Sequence, residues 1–276
     1  EIYNIPYETT TRPDQNQKPA KPEKNDLQNS PKTDEPEDYK PFYMEAHETL
    51  KNSDYMRNRG ISEQILERFN IGYVEAWKHP KIKALNVPTS PRVIIPTSDY
   101  SYIARDVRPL EEIPEQSRPY IKQKVGKAHI FNLEAFNKNE PIYIVEGEID
   151  ALSIAQAGYE AIATGSVSNI NLLVKEIEKI QQTKPINQLL LIAMDNDPAG
   201  TEASQKLAAE LTKIKTPYYI AKPYGEHKDA NDALLSDLNT FKGNLQQGIE
   251  RAKKKNKPLL ITITEKTAVY FIWLSS

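Results

Sequence analysis

The chain has 276 residues, room for one large or two modest domains, with 36 Lys and Arg against 38 Asp and Glu. That near balance excludes a polybasic protein that coats nucleic acid by bulk charge, so any grip on DNA or RNA must be local. Cysteine is absent, which excludes disulfide frameworks, Cys-ligated zinc and thiol catalysis and fits a reducing cytoplasm; no apolar run approaches the ~20 residues of a membrane span.

The first residues, Glu1-Ile2-Tyr3, carry neither Met nor a signal-peptide pattern and read as a fragment or a processed chain. Seven of the 20 prolines precede residue 42. Between Thr9 and Lys40 they are mixed with Lys, Glu, Asp, Asn and Gln, and Leu27 is the only aliphatic side chain larger than alanine. Such a stretch cannot bury enough apolar area to offset ~1–2 kcal/mol per residue of backbone ordering. Residues 1–41 are therefore expected to be a disordered, extended linker. From Phe42, helices are expected over Tyr43–Asn52 and Glu63–Phe69. Ile61, Ile65, Leu66 and Phe69 recur at helical spacing, and Ser62 is placed to cap. Arg92–Pro96 and Tyr102–Val107 read as a hairpin turning at Thr97–Ser101.

From Pro141 the pattern becomes alternating strand and helix. Strands are expected at Ile142–Val145, Glu160–Ala163, Gln188–Met194 and Thr216–Ala221. Helices are expected at Ile149–Ala157, Ile170–Gln182, Thr201–Lys213 and Asp229–Ser236. This order predicts an α/β fold with a largely parallel sheet flanked by helices, preceded by a smaller mixed α+β subdomain. In such sheets ligands bind at the C-terminal strand ends. A charged helix over Thr240–Lys255 and a strand-like apolar tail, Leu259–Ser276, follow. The expected domain limits are 1–41, 42–138, 139–237 and 238–276.

Three acidic sets fall at three of those strand ends: Glu146-Gly147-Glu148 with Asp150, Asp195-Asn196-Asp197-Pro198, and Asp229-Ala230-Asn231-Asp232. Each alone has an ordinary structural account, as a polar turn or a helix cap with Pro at N1. If the sheet order brings these strands together, the loops place several carboxylates at one edge. Like charges so clustered raise one another's pKa unless a cation neutralises them, and hard divalent ions take such oxygen ligands. No cysteine and only four histidines disfavour zinc.

The segments Ile144-Val-Glu-Gly-Glu-Ile-Asp-Ala-Leu-Ser, Asp195-Asn-Asp-Pro-Ala-Gly and Lys228-Asp-Ala-Asn-Asp-Ala-Leu resemble, in order and spacing, the Toprim domain of primases, topoisomerases, some nucleases and RecR-like proteins. The resemblance implies Glu146 as general acid/base or metal partner, Asp195 and Asp197 as metal ligands, and Asp229 as the additional primase-type acid. The family's next acid falls at Asn231 or, one residue on, at Asp232. Upstream, Tyr55-Met-Arg-Asn-Arg-Gly-Ile-Ser, Arg92-Val-Ile-Ile-Pro with Tyr102-Ile-Ala-Arg-Asp-Val, and Arg118-Pro-Tyr-Ile-Lys-Gln-Lys-Val-Gly-Lys resemble the DnaG-type primase catalytic core. The last block carries four positive charges in ten residues and no acid, suited to phosphates, or else a solvated loop. By resemblance Arg92, Arg105, Lys122, Lys124 and Lys127 line a basic groove.

The resemblance implies a primase that makes short RNA primers on single-stranded DNA from NTPs, with two Mg²⁺ or Mn²⁺ ions on Glu146, Asp195, Asp197, Asp229 and Asp232. The implied setting is a bacterial or phage cytoplasm, in phage, plasmid or mobile-element replication, with a replicative helicase as a further partner and no membrane. The family's usual Cys/His zinc module has no counterpart in these residues, having been cut away or never present. A Toprim nuclease and a catalytically degenerate nucleic-acid-binding protein are the alternatives.

Overall fold

The computed structural model of the chain describes residues 36–81 and 88–255. The expected linker up to residue 35 and the strand-like tail lie outside the described residues. Helix α1 (Lys40–Glu48) has Pro in its first turn, where the missing N–H would have no helical partner, and turns Tyr43 and Ala46 inward. It starts before the expected end of the linker. Tyr39 is already buried, its ring edge-on to that of Tyr102 at 5.3 Å. One aromatic ring finding an apolar seat thus moves the boundary that composition had set at residue 41.

Two short helices follow, α2 (Tyr55–Asn58) and α3 (Glu63–Arg68). Ser62 takes the extended backbone of an N-cap, yet its hydroxyl donates to Gln156 Oε1 (2.8 Å) instead of capping α3. Strands β1 (Gly72–Trp77), β2 (Ser90–Ser98), β3 (Ser101–Asp106) and β4 (Lys122–Gly126) form an antiparallel meander in chain order. β2 and β3 are the expected hairpin, with Ile95 opposite Ile103. α1 lies so close on β1 that a Cβ at Gly72 would stand 2.7 Å from the Ala46 carbonyl carbon, an approach only glycine permits.

The second sheet contains β5 (Ile142–Val145), β6 (Glu160–Ala163), β7 (Leu190–Ile192) and β8 (Tyr218–Ile220), all parallel, in the order β6-β5-β7-β8. β5, β6 and β7 are buried along their whole length, as parallel strands covered on both faces must be. Helices α5 (Ile170–Thr183) and α6 (Pro198–Lys213) cover one face through Ile144, Ile162 and Ile192. Helices α4 (Glu148–Gln156), α7 (Ala230–Ser236) and α8 (Leu238–Lys255) lie with Tyr143, Val145 and Leu191 on the other.

This second core does not stop at residue 138. It continues through Ile61, Leu66, Val93, Ile95 and Ile103 of the upstream elements. Arg68 of α3 reinforces the junction, donating to both oxygens of the buried Glu160 at 2.8 and 2.7 Å. The two expected subdomains share one interior, which holds the meander in a set position against the parallel sheet. Among the described residues no helix is long and apolar enough to cross a membrane.

Candidate active site

The chain leaves β5 into α4 on one face and leaves β7 into α6 on the other, so the C-terminal ends of these neighbouring strands bound the crevice typical of open α/β sites. Glu146 follows β5 directly, and Asp195 comes three residues after β7. Asn196 ties the loop after β7 to the loop after β8. Its N–H donates to Lys228 O (2.7 Å), and its Nδ2 donates to Gly225 O (3.1 Å) and His227 O (2.8 Å). Asp195 and Asp197 are thereby drawn alongside Asp229. Gly200 is obligatory here, because a Cβ would lie 2.2 Å from Asp195 O.

The ordinary account of two of these acids holds as well. Asp197 Oδ1 accepts the Gly200 N–H (2.8 Å) as the N-cap of α6, and Asp229 Oδ1 accepts the Asp232 N–H (2.9 Å) as the N-cap of α7. Each cap uses one carboxylate oxygen and fixes the rotamer, leaving the other oxygen free to meet a ligand. Lys228 supplies the local counter-charge, its Nζ 3.9 Å from Asp195 Oδ2 and 3.8 Å from Asp197 Oδ2.

The electrostatics record the crowding. Burial, then Glu146 and Asp229, push the Asp195 carboxyl up to about 6 against the opposing pull of Lys228. Asp150 lies in the first turn of α4. Burial, then Asp229 and Asp195, push its carboxyl up to about 7. Among the described residues no three carboxylate or imidazole groups converge at coordinating distance. The donor set is nonetheless all oxygen, and burial and like charge raise Asp195 and Asp150 within it, which is the chemistry a hard divalent cation relieves.

The opposite wall comes from the meander. Arg105 and Lys122 are cross-strand partners on β3 and β4. Arg105 Nε donates to Tyr55 OH (2.9 Å). Lys122 Nζ stands 2.6 Å from Oε2 of the buried Glu148 and donates to Gly165 O (3.1 Å). Arg59 lies over the Tyr55 ring at 5.0 Å and donates from Nη1 to Asn231 Oδ1 (2.9 Å). Arg59, Arg105 and Lys122 share with Gly147, Asp150 and Asp229 a cleft of about 150 Å³.

A family model described as Toprim-like matches residues 143–234. Over these residues the chain is similar to that family. A curated DNA primase from Mycoplasma genitalium is 26% identical over 172 residues, covering 60% of this chain and 27% of its own length. The chain thus spans about a quarter of that relative. The solved Aquifex aeolicus primase, with its zinc-binding and RNA polymerase domains, is similar at a TM-score of 0.53 and 16% identity, covering 76% of this chain and 60% of that one. A DnaG catalytic core gives 0.52 and 16%, covering 75% of this chain and 76% of that one. A DnaG primase catalytic domain bound to ssDNA gives 0.50 and 15%, covering 75% and 77%. The chain has the fold of a DnaG-type primase catalytic core.

Against the Toprim motifs, several expected site residues stand elsewhere than expected. Arg92 is 1% exposed. Its guanidinium donates to Ser90 Oγ and to the carbonyls of Ala104, Tyr120 and Ile121, and it faces the buried Asp106 at 3.5 Å. A group so enclosed braces the meander and lines no groove. Lys124 and Lys127 line a hollow of only about 10 Å³ beside His129, which adjoins the cleft at Ile103 and Glu148. Burial and the neighbouring Lys122 hold the Lys124 amine below its usual range. Asp232 is exposed on the outer side of α7, whereas Asn231 is buried. Glu148 and Asp150, named in the first acidic set without a role, belong to the site, as do Arg59 and Lys228, to which the sequence gave none. Asp150 had a signal, since it stands in the first acidic set where α4 begins; Arg59 had only its place in the quoted Arg-Gly pair.

Proposed function

We propose that this chain is the metal-dependent catalytic core of a DNA primase, joining ribonucleotides into short primers on a single-stranded DNA template. One observation carries the reading. Carboxylates on three strand-end loops of the Toprim domain gather beside a cleft whose other wall presents Arg59, Arg105 and Lys122. Glu146, Asp195, Asp197 and Asp229 would hold the cation. Two Mg²⁺ or Mn²⁺ ions, when bound, would supply charge neutralisation at the phosphates and a more acidic attacking hydroxyl.

The chain's own residues do the rest. Arg59, Arg105 and Lys122 bind phosphate oxygens of nucleotide and template. Glu148 and Gly165 O keep Lys122 at the rim instead of letting it collapse onto the acids. Asp195, near 6 without metal, exchanges its proton for a cation at little cost in the neutral range. The proposed partners are NTPs, single-stranded DNA and a replicative helicase, in phage, plasmid or mobile-element replication. This wider setting rests on resemblance alone.

The test is incubation with single-stranded DNA, the four NTPs and Mg²⁺ or Mn²⁺, followed by product sizing. Labelled oligoribonucleotides are expected. Shortened DNA would point instead to a Toprim nuclease, and neither product to a binding protein.

A further inference from the structure

The third Toprim loop ends in Asn231, at the position where the resemblance offers either this residue or Asp232 as a further metal ligand. Every polar atom of the Asn231 side chain is already engaged. Its Nδ2 donates to Arg59 O (2.9 Å) and to Ser153 Oγ (3.0 Å), and its Oδ1 accepts from Arg59 Nη1 (2.9 Å). Ser153 in turn donates to Ile149 O (2.8 Å), so its hydroxyl is oriented to accept. The carboxamide is 3% exposed. To ligate a cation it would have to release Arg59 and leave buried donors and acceptors unpaired, which is costly.

The bonds also run in an informative direction. Asn231 holds Arg59 at both ends, backbone carbonyl and guanidinium, across 172 residues of sequence. Tyr55 supports the guanidinium from one face. Among the described residues the remaining guanidinium nitrogens make no hydrogen bond, and Arg59 lines the cleft with Asp150 and Asp229. A neutral carboxamide suits this task because it both donates and accepts. A carboxylate would satisfy the guanidinium but meet the Arg59 carbonyl oxygen with like charge.

We infer that Asn231 is a positioning residue: it aims the Arg59 guanidinium into the cleft and does not bind the metal. The inference rests on the reading of the cleft as a nucleotidyl-transfer site and says which residue sets its nucleotide affinity.

Wild type, Asn231→Ala, Asn231→Asp, Arg59→Ala, the Arg59→Ala/Asn231→Ala double variant and Asp229→Asn are compared, with thermal midpoints measured alongside. Mn²⁺ binding is read by electron paramagnetic resonance, KM and kcat by primer synthesis, and the Arg59 guanidinium by side-chain nitrogen NMR. Asn231→Ala is expected to raise the NTP KM roughly tenfold with kcat within about twofold, and to leave Mn²⁺ affinity unchanged while Asp229→Asn loses it. The double variant should be no worse than Arg59→Ala, since the two residues act as one unit. Asn231→Asp should recover part of the KM. Slow-exchanging Arg59 signals in wild type should vanish in Asn231→Ala.

Loss of Mn²⁺ affinity in Asn231→Ala comparable to that in Asp229→Asn would overturn the inference, as would additive effects in the double variant or freely averaging Arg59 signals in wild type. If wild type makes no oligoribonucleotide, the primase reading fails, and the NMR and Mn²⁺ measurements still decide what Asn231 does.

Discussion

The two walls of the cleft reach their positions by different routes. On the Toprim side, Glu146, Asp195 and Asp229 lie in the loops that follow the neighbouring parallel strands β5, β7 and β8, and Asp197 and Asp229 are pinned as helix caps. Strand length and cap chemistry are local, so the placement follows from topology. On the meander side each cation is placed by a distant partner: Arg105 by Tyr55, Lys122 by Glu148, Arg59 by Asn231, Arg92 by the carbonyls of Ala104, Tyr120 and Ile121. Position along the chain therefore tells which acids meet, but not which cations face them and which are braces.

The comparison breaks most sharply at Asp195. Replacing it by Asn should lower metal-dependent nucleotidyl transfer by about 10²–10³-fold, the order expected for losing a charge-stabilising group. The metal-free protein should not be destabilised. Retained synthesis in a steady-state assay would remove the acidic wall from the chemistry.

Next comes Arg92. If it is a brace, Arg92→Leu leaves Ser90 Oγ and the carbonyls of Ala104, Tyr120 and Ile121 without their donor, while Asp106 keeps Arg108, and should cost about 1–3 kcal/mol in urea unfolding. The surviving folded fraction should keep its nucleotide KM. Arg105→Ala should do the reverse. Template affinity should fall several-fold, and the slope of log affinity against log salt should drop by about 1, with stability nearly intact. Fluorescence anisotropy across a salt series, beside the urea curves, separates the two outcomes.

The smallest effect is the dependence of stability on pH. Asp195 titrates near 6 in the folded, metal-free protein, above its unfolded value near 3.8. Its favourable contribution is therefore full below about 4 and is lost as pH rises through 6. Metal-free protein should lose stability across that window. Added Mg²⁺ should restore it above 6, and Asp195→Asn should flatten the profile. A wild-type curve without that fall would mean that neither burial nor the neighbouring acids raise Asp195.

Much of the Toprim half was legible because its signals are local. Buried four-residue strands, Gly158 ending α4, and Pro198 after a capping Asp197 each act within a few residues. The upstream half was less so. β1 and β4 were not expected as strands; in β4 the half-buried Lys122 and exposed Lys124 alternate with buried Gln123 and Val125, giving a charged strand that composition reads as a loop. The linker boundary moved because Tyr39 found a partner 63 residues away, in Tyr102.

By itself the sequence determined the parallel α/β layout, the three acidic loops at its strand ends, and the caps that hold them, since all arise from backbone periodicity and side-chain-to-backbone bonds between near neighbours. Tertiary structure alone decided which basic residues enter the cleft, that Asn231 is spent on Arg59, and that Arg92 is interior. Those outcomes depend on desolvation and on pairing between residues 12 to 172 positions apart in the chain, and a charged side chain's spelling is the same whether it ends up in a cleft or in a core.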